Sequence, residues 1–460
     1  MEEQKPKSYT SSLATLTMLF FMWGFITSVN DILIPFLRNV FELSHFEANL
    51  VQFAFFGAYF IVSLLYFLLS LTIGDPIAKI GYKNGIIIGL LLSTVGCFLF
   101  YPSAQYHLFG FFLAALACIG FGLTLLQIAA NPYVAMLGKP ETASSRLNLA
   151  QGFNSFGTTI GPVIGGFLIF NYFLTDANPG ANSVKTPYII FGGLFLVLAL
   201  FIKFAHLPPF TGHDKIERKP VALKHSNLFW GMFAIFFYVG AEVSIGSNLI
   251  AFMNLDSIAG FSEETGSKYV AFYWGGAMIG RFLGSISLSE MKNSKKYPLM
   301  FLVGIVLFII IFAITKTDFA SVWYYIIFLV INYFVFILGK SLPARTLTIF
   351  SFATIILLSI GLLTSGKVAL WSVLAIGLFN SIMWSNIFTL AIEGLDKYTS
   401  QGSSLLVMCI VGGAILPLLQ GFLADILGVQ NSLIVPLIAY TYLIFYGLYG
   451  YKKKFKGEAI

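Results

Sequence analysis

Apolar runs of about twenty residues recur along almost the whole chain, and they constrain its fold more than any other feature. A bilayer offers no water to unpaired amides, so only helices or a closed barrel can cross it. The runs are continuous rather than alternating, which indicates helices. With 58% hydrophobic and 10% charged residues, the 460-residue chain is also far more apolar than soluble proteins. The sequence therefore predicts an all-α polytopic membrane protein.

Hydropathy places fourteen spans in two groups, separated by one polar segment. That segment, HLPPFTGHDKIERKPVALKHSN (206–227), contains Pro and Lys residues and is typical of a cytoplasmic linker. It divides the chain into a six-helix bundle (1–205), a second bundle (228–450) and a short cytoplasmic tail (451–460). The predicted spans cover residues 12–38, 47–72, 85–102, 107–137, 146–171, 187–205, 228–253, 268–290, 298–315, 320–338, 345–364, 368–393, 402–427 and 431–450.

The basic residues predict on which side of the membrane each loop lies, because cytoplasmic loops carry most Lys and Arg. With the N-terminus inside, 22 of the 27 basic residues lie on the cytoplasmic side and five lie outside. The net charge of +7 therefore indicates topology and does not indicate a nucleic-acid partner. We expect a multi-pass protein of the cell membrane, inner or plasma, with both termini in the cytoplasm. A twelve-span arrangement of the same parity stays open.

Internal similarity links the two groups of spans. GLTLLQIAANPYVAMLG (122–138) matches GLFNSIMWSNIFTLAIEG (377–394), and AQGFNSFG (150–157) resembles SQGSSLLV (400–407). Repeated halves are common in transporters, which bind substrate near the middle of the membrane. Matching six spans to six leaves two over, and the hydrophobic hairpin at 298–338 is the predicted insertion. We expect this hairpin to be peripheral and to face lipid.

Two of the carboxylates inside the predicted spans stand out. Asp31 follows Asn30 in LFFMWGFITSVNDILIPFL, and Glu242 lies at the centre of FFYVGAEVSIGSNLIAFM. An ionised carboxylate in the membrane costs about 2.5–3.5 kcal/mol on insertion scales, so such residues usually face a protein interior or a wet pathway. Both are therefore candidate functional residues. The alternatives are that Asp31 touches water in the headgroup layer and that a protonated Glu242 bonds to a neighbouring helix.

Amide side chains cluster on one face of each of two spans. Gln127 and Asn131 are four residues apart in the fourth span, and Gln151 and Asn154 are three apart in the fifth. Their paired donors and acceptors match the hydroxyl groups of a sugar. The same residue types also join membrane helices to one another, so interhelical hydrogen bonding is the alternative.

Two tryptophans lie within spans rather than at the membrane interfaces. They are Trp274 and Trp384, the second of which follows Asn380 by four residues. Their rings can stack on the apolar face of a pyranose, and plain packing is the alternative. Arg281 lies towards the cytoplasmic end of its span, where we expect it to act in gating or in loop contacts.

Enzyme chemistry is not indicated. No HExxH, GxSxG, Walker or CxxC pattern occurs in a suitable context of the sequence. Cys97, Cys118 and Cys409 all lie in apolar segments, where packing is the expected role. We expect neither an enzyme nor a bound cofactor.

Six segments carry a specific resemblance: SVNDILIPFL (28–37), ANLVQFAFFGAYFI (48–61), IGYKNGIIIGL (80–90), QIAANPYVAMLG (127–138), RLNLAQGFNSFG (146–157) and TSQGSSLLVMCIVGGAILPLLQGFLAD (399–425). Together they resemble the fucose and glucose/galactose permease family of the major facilitator superfamily, over nearly the whole chain apart from the hairpin. The resemblance implies the major facilitator fold, with two six-helix bundles, a central sugar site and alternating access that moves substrate into the cytoplasm.

The resemblance also implies roles for single residues. The family's carboxylate in the first span falls on Asp31, and its sugar-binding Asn in the fifth span falls on Asn154. The fucose branch carries a Glu in the fourth span, where a proton is handled, whereas this chain has Gln127 there. Glu242 lies in YVGAEVSIGS (238–247), which is similar to the glucose/galactose branch, and relatives of that branch include sodium-coupled transporters.

The sequence thus predicts a cation-coupled hexose symporter, monomeric in the lipid bilayer, with Na⁺ preferred to H⁺. Asp31 and Glu242 are predicted to bind the cation, including as ligands of Na⁺, and Arg281 to act in gating. The predicted sugar ligands are Asn30, Gln127, Asn131, Gln151, Asn154, Trp274, Asn380 and Trp384. An uncoupled sugar uniporter, a proton-coupled drug or metabolite antiporter and a non-transporting membrane scaffold or sensor stay open.

Overall fold

The structure, a computed structural model, describes residues 9–42, 45–166, 168–169, 180–209 and 221–452, and all regular secondary structure in these ranges is helical. The α-helices of these ranges are α1 (Thr10–Phe41), α2 (His45–Ile73), α3 (Pro76–Ile80), α4 (Tyr82–Tyr106), α5 (Phe109–Met136), α6 (Ala143–Gly166), α7 (Lys185–Phe204), α8 (Ser226–Asn254), α9 (Glu263–Ser287), α10 (Asn293–Thr315), α11 (Phe319–Gly339), α12 (Pro343–Leu363), α13 (Gly366–Asn380), α14 (Met383–Ile392), α15 (Thr399–Met408), α16 (Gly412–Leu427) and α17 (Ile434–Phe445).

Twelve helical segments of the described residues are long and apolar enough to cross a membrane. The chain is therefore a polytopic membrane protein, and the expected number of fourteen spans is not supported by this criterion. The two expected spans that are not apolar enough by this measure are α6 and α9, which have 24 and 25 residues. Both are long enough, but polar side chains such as Gln151 and Asn154 in α6 and Arg281 in α9 alternate with glycines and lower their hydropathy.

The chain forms two compact units, Met1–Arg218 and Lys219–Ile460. In the first unit, α5 packs on α4 and α2, while α6 packs along α1. In the second unit, α8 packs on α16, and α13 lies between α9 and α12. The boundary between the units falls inside the segment predicted as a linker, of which 210–220 lie outside the described residues, as does 453–460 of the predicted tail.

Backbones approach each other closely where α9 meets α13. A Cβ on Gly377 would lie 1.9 Å from the Tyr273 carbonyl oxygen, and one on Gly280 would lie 2.1 Å from Ser381 Oγ. Small residues permit such contacts between membrane helices, where packing rather than the hydrophobic effect drives association. The result is that side chains of α9 reach the C-terminal end of α13.

The hairpin of α10 and α11 is not supported as a separate insertion. α10 packs against α9, and α11 packs against α9, α12 and α13 of the same unit. Tyr325 and Asn332 on α11 are buried, whereas Trp323, Ile331 and Phe334 on the same helix are exposed. The hairpin therefore has one exposed apolar face and one face that belongs to the interior of the second unit.

Candidate functional site

The helix from Gly366 to Ile392 is interrupted, and the interruption gathers polar side chains. α13 ends at Asn380 and α14 begins at Met383. The last carbonyls of a helix have no partner in the helix itself and carry its negative dipole end. Two side chains of neighbouring helices approach them: the Tyr238 hydroxyl lies 3.2 Å from the Asn380 carbonyl, and Arg281 Nε donates to the Ser381 carbonyl (3.1 Å).

Glu242 on α8 lies beside this interruption. It is only 9% exposed. The Tyr238 hydroxyl, one turn earlier on α8, donates to Glu242 Oε1 over 2.8 Å, and Arg281 Nη2 lies 3.6 Å from the same oxygen. An opposite charge and a hydrogen bond are what a buried carboxylate requires. Glu242 and Arg281, predicted in separate roles, therefore form one ion pair.

Asn380 extends this arrangement to two further tyrosines. Its Nδ2 donates to Tyr273 Oη (2.8 Å), and its Oδ1 accepts from Tyr440 Oη (2.5 Å). Tyr273 Oη in turn donates to the backbone carbonyl of Glu242 (3.0 Å). The connected set, called here the second-unit network, comprises Tyr238, Glu242, Tyr273, Arg281, Asn380 and Tyr440.

The three tyrosines of this network were not predicted as site residues. Tyr238 precedes Glu242 by one helical turn, which is a signal that the sequence does contain. Tyr273 adjoins the predicted Trp274, whereas nothing in the sequence marks Tyr440. Because tyrosine is counted among the hydrophobic residues, its hydroxyl is easily overlooked in a membrane helix.

The two predicted tryptophans differ in accessibility. Trp384 is 7% exposed, its ring lies 6.0 Å from that of Phe388, and its indole Nε1 has no hydrogen-bond partner among the described residues. Trp274 is 37% exposed. A Cβ on Gly246 would lie 2.8 Å from the Trp274 ring, so the glycine makes room for it. Trp274 therefore has a solvent-accessible ring, whereas the indole N–H of Trp384 is a buried hydrogen-bond donor.

In the first unit, three predicted amides come together and form what is called here the amide patch: Gln127, Asn131 and Gln151. All three are buried. Gln151 Nε2 donates to Asn131 Oδ1 over 3.4 Å, and within the part of the chain that the structure describes Asn131 Nδ2 has no partner. Tyr59 of α2 lies beside the Gln127 side chain. The patch thus contains donors and acceptors without a formal charge.

Asn154 lies at the packing contact between α6 and α1. The Asn154 Nδ2 donates to the Phe20 carbonyl (3.0 Å), and a Cβ on Gly24 would lie 2.1 Å from the backbone oxygen of Asn154. This donor joins two helices, which is the interhelical hydrogen bonding named above as the alternative role of the amides. A role of Asn154 in sugar binding stays a prediction.

The remaining predictions concern Asn30, Asp31 and the cation. Asn30 and Asp31 belong to α1, but their side chains lie outside the described residues. No group of three or more His, Cys, Asp or Glu side chains that could hold a metal ion occurs in the described ranges. The guanidinium of Arg281 faces Glu242 Oε1, and cation binding by Asp31 or Glu242 stays a prediction.

The known proteins that are similar to this chain in sequence and in structure belong to one superfamily of transporters. Residues 15–344 match the model of the Major Facilitator Superfamily. The glucose/galactose transporter of Brucella abortus is 44% identical over 98% of this chain and 97% of its own, and the L-fucose-proton symporter of Escherichia coli is 29% identical over 96% and 93%. The crystal structure of the E. coli fucose:proton symporter FucP superimposes with a TM-score of 0.75 at 27% identity, over 97% of this chain and 100% of that one. The chain therefore belongs to the major facilitator superfamily, in its fucose and glucose/galactose permease family, and is a membrane transporter rather than an enzyme.

Proposed function

We propose that the protein is a proton-coupled symporter that carries a neutral hexose, glucose or galactose, into the cytoplasm by alternating access. The observation that carries this proposal is the buried pair of Glu242 and Arg281 at the interruption between α13 and α14. Interrupted helices with exposed carbonyls are typical of substrate and ion sites in secondary transporters. The name of the B. abortus relative, 44% identical, supports the choice of hexose.

The sugar ligands are proposed to be the uncharged polar residues. The amide patch of Gln127, Asn131 and Gln151 contains the paired donors and acceptors that hydroxyl groups need, and Asn131 Nδ2 is a donor without a partner in the described structure. Trp274 offers an accessible ring for the apolar face of a pyranose. Asn30 and Asn154 are retained as proposed ligands from the sequence.

The coupling ion is proposed to be the proton rather than Na⁺, which the sequence had favoured. Hard cations are held by several oxygens, whereas one side of Glu242 is occupied by a guanidinium. The E. coli relative is by name a proton symporter. Asp31 stays a second proposed proton site. Proton binding would neutralise Glu242 and weaken its attraction to Arg281. The guanidinium would then keep only its hydrogen bond to the Ser381 carbonyl, so that protonation of Glu242 changes the contacts of the interrupted helix.

The experiment uses membrane vesicles that contain the protein. Labelled glucose or galactose is offered with an inward proton gradient, an inward Na⁺ gradient or no gradient. We expect accumulation above equilibrium with the proton gradient alone. Accumulation with Na⁺ alone would overturn the proton assignment, and equilibration without accumulation would indicate a uniporter. No sugar uptake under any condition would leave an antiporter of another substrate, or a scaffold or sensor.

We also propose that α6 and α9 cross the membrane, giving fourteen crossings with both termini in the cytoplasm. With fourteen crossings 22 of the 27 basic residues lie on the cytoplasmic side, whereas without these two helices the number falls to 19. Their polar side chains face protein, as the bonds of Asn154 and Arg281 illustrate. Reporter fusions at residues 140 and 182 test this, because they should report opposite sides of the membrane. The same side for both would exclude α6 as a span.

A further inference from the structure

Asn332 is an amide in the middle of α11, a helix that is otherwise almost entirely apolar. It is fully buried. Its Nδ2 donates to the carbonyl of Leu378 on α13 over 3.1 Å. An amide inside a membrane helix is retained only where it finds a partner, and such bonds join helices. The hairpin that carries Asn332 is thus bonded to α13 at Leu378, two residues before α13 ends at the interruption.

Carbonyls at the end of α13 are bonded by side chains from three different helices. The Leu378 carbonyl accepts from Asn332 of α11, and also from Ser381 Oγ at the interruption (2.8 Å). The Asn380 carbonyl lies 3.2 Å from the Tyr238 hydroxyl of α8, and the Ser381 carbonyl accepts from Arg281 of α9. Two of the three side chains from other helices belong to the second-unit network. Asn332 is the third, although it lies outside the network and in the hairpin that the sequence predicts to face lipid.

A second residue of α11 supports the same contact. Tyr325 lies seven residues before Asn332 and therefore on the same helical face. Its hydroxyl donates to the Phe272 carbonyl of α9 over 2.8 Å, next to Tyr273 of the network. A Cβ on Gly276 would lie 2.3 Å from this hydroxyl, so the glycine admits it. One face of α11 thus holds both α9 and α13.

We propose that Asn332 is a positioning residue for transport: by holding the Leu378 carbonyl, it fixes the interruption between α13 and α14, and with it Asn380 and the carbonyl that Arg281 binds. This inference rests on the proposed function for its effect on transport. Tyr325 acts in the same way on α9. The hairpin of α10 and α11 then adjusts sugar affinity and proton coupling from a distance.

The test compares Asn332→Leu, which keeps the size of the side chain and removes the donor, with Ile331→Leu on the exposed face of the same helix. Tyr325→Phe is the second variant, since it keeps the ring and removes only the hydroxyl. Three readouts are taken on purified, folded protein: KM and maximal rate of sugar uptake in proteoliposomes, the dependence of uptake on pH, and amide hydrogen exchange of residues 376–386.

We expect Asn332→Leu to raise KM about three- to fifteenfold, which corresponds to the loss of one hydrogen bond between membrane helices. The uptake–pH profile should shift, and exchange of 376–386 should be faster than in Ile331→Leu. Tyr325→Phe should change the same quantities in the same direction by less. If KM, pH profile and exchange all match those of Ile331→Leu, the inference is wrong, even if less Asn332→Leu protein is obtained.

Hydrogen exchange separates this inference from the proposed function. If the parent protein takes up no hexose under any gradient, the proposed function fails. Faster exchange of 376–386 in Asn332→Leu would then still establish that Asn332 positions the interruption. Unchanged exchange would overturn it.

Discussion

The second-unit network and the amide patch of the first unit place polar side chains inside apolar helices in different ways. The network contains an ion pair, and both ends of its central amide, Asn380, are bonded. The amide patch contains no formal charge, and one of its donors, Asn131 Nδ2, has no partner within the described ranges. A connected, charged network is suited to respond to protonation, whereas an uncharged patch with a spare donor is suited to bind hydroxyl groups. In the proposed function, proton coupling therefore involves the second-unit network, beside Asp31, and sugar recognition involves mainly the amide patch.

The largest effect is expected for Arg281→Ala, because it leaves Glu242 buried without its opposite charge. Breaking a buried ion pair from one side costs about 3–5 kcal/mol of unfolding free energy. Thermal unfolding in detergent measures the loss, and Lys292→Ala, which removes an exposed cation after α9, is the control. Adding Glu242→Gln should restore part of the stability. Equal stability of Arg281→Ala and Lys292→Ala would show that the pair is not formed.

The next effect concerns coupling itself. Glu242→Gln keeps the shape of the side chain and removes its ability to exchange a proton. We expect accumulation driven by a pH gradient to fall at least about tenfold, while exchange of labelled for unlabelled sugar persists, because exchange needs no net proton transfer. Glu393→Gln is the matched control, since Glu393 also lies in the second unit and is bonded to Tyr451 Oη (2.5 Å), outside the network. Full accumulation by Glu242→Gln would remove this carboxylate from the coupling site.

Substitution in the amide patch should give a different result. Gln151→Leu removes one hydrogen-bonding side chain from the proposed sugar site, so KM should rise about five- to tenfold, as expected for one hydrogen bond. The uptake–pH profile should not change, because the patch has no charge. Asn84→Ala, which removes an exposed amide that donates to the Ile80 carbonyl at the end of α3, is the control. A shifted pH profile in Gln151→Leu would contradict the division of roles between the two units.

Much of this architecture could be predicted from the sequence, and the misses have physical causes. Apolar runs and basic loops identify helices and a polytopic chain, because the bilayer imposes helix length and charge placement. The buried polar residues Glu242, Gln127 and Asn131 stand out for the same reason. Which of them meet does not follow from hydropathy: Arg281 lies 39 residues after Glu242, and only the packing of α9 on α8 and α13 brings the two together.

Two further residues show where hydropathy misleads. Tyr440 lies in a strongly apolar helix and looks like a packing residue, yet its hydroxyl bonds to Asn380. Asn332 was overlooked because its surroundings are so apolar that the hairpin was predicted to face lipid. The polarity of α6 and α9 has the opposite effect, since side chains that bond inside the protein lower the hydropathy of helices that are long enough to span a bilayer.

The smallest effect is expected for Tyr238→Phe, and it tests how the network holds its carboxylate. The substitution removes the hydroxyl that donates to Glu242 Oε1 (2.8 Å) and lies 3.2 Å from the Asn380 carbonyl, but it leaves the guanidinium of Arg281 in place. Hydrogen bonds between side chains of membrane proteins contribute about 0.6 kcal/mol on average, so the loss of unfolding free energy should be near 1 kcal/mol or less. Tyr106→Phe, which removes an exposed hydroxyl, is the control in the same thermal unfolding measurement. A loss of unfolding free energy as large as that of Arg281→Ala would mean that the hydroxyl, rather than the opposite charge, stabilises buried Glu242. The contrast between a charged network and an uncharged patch would then lose its physical basis.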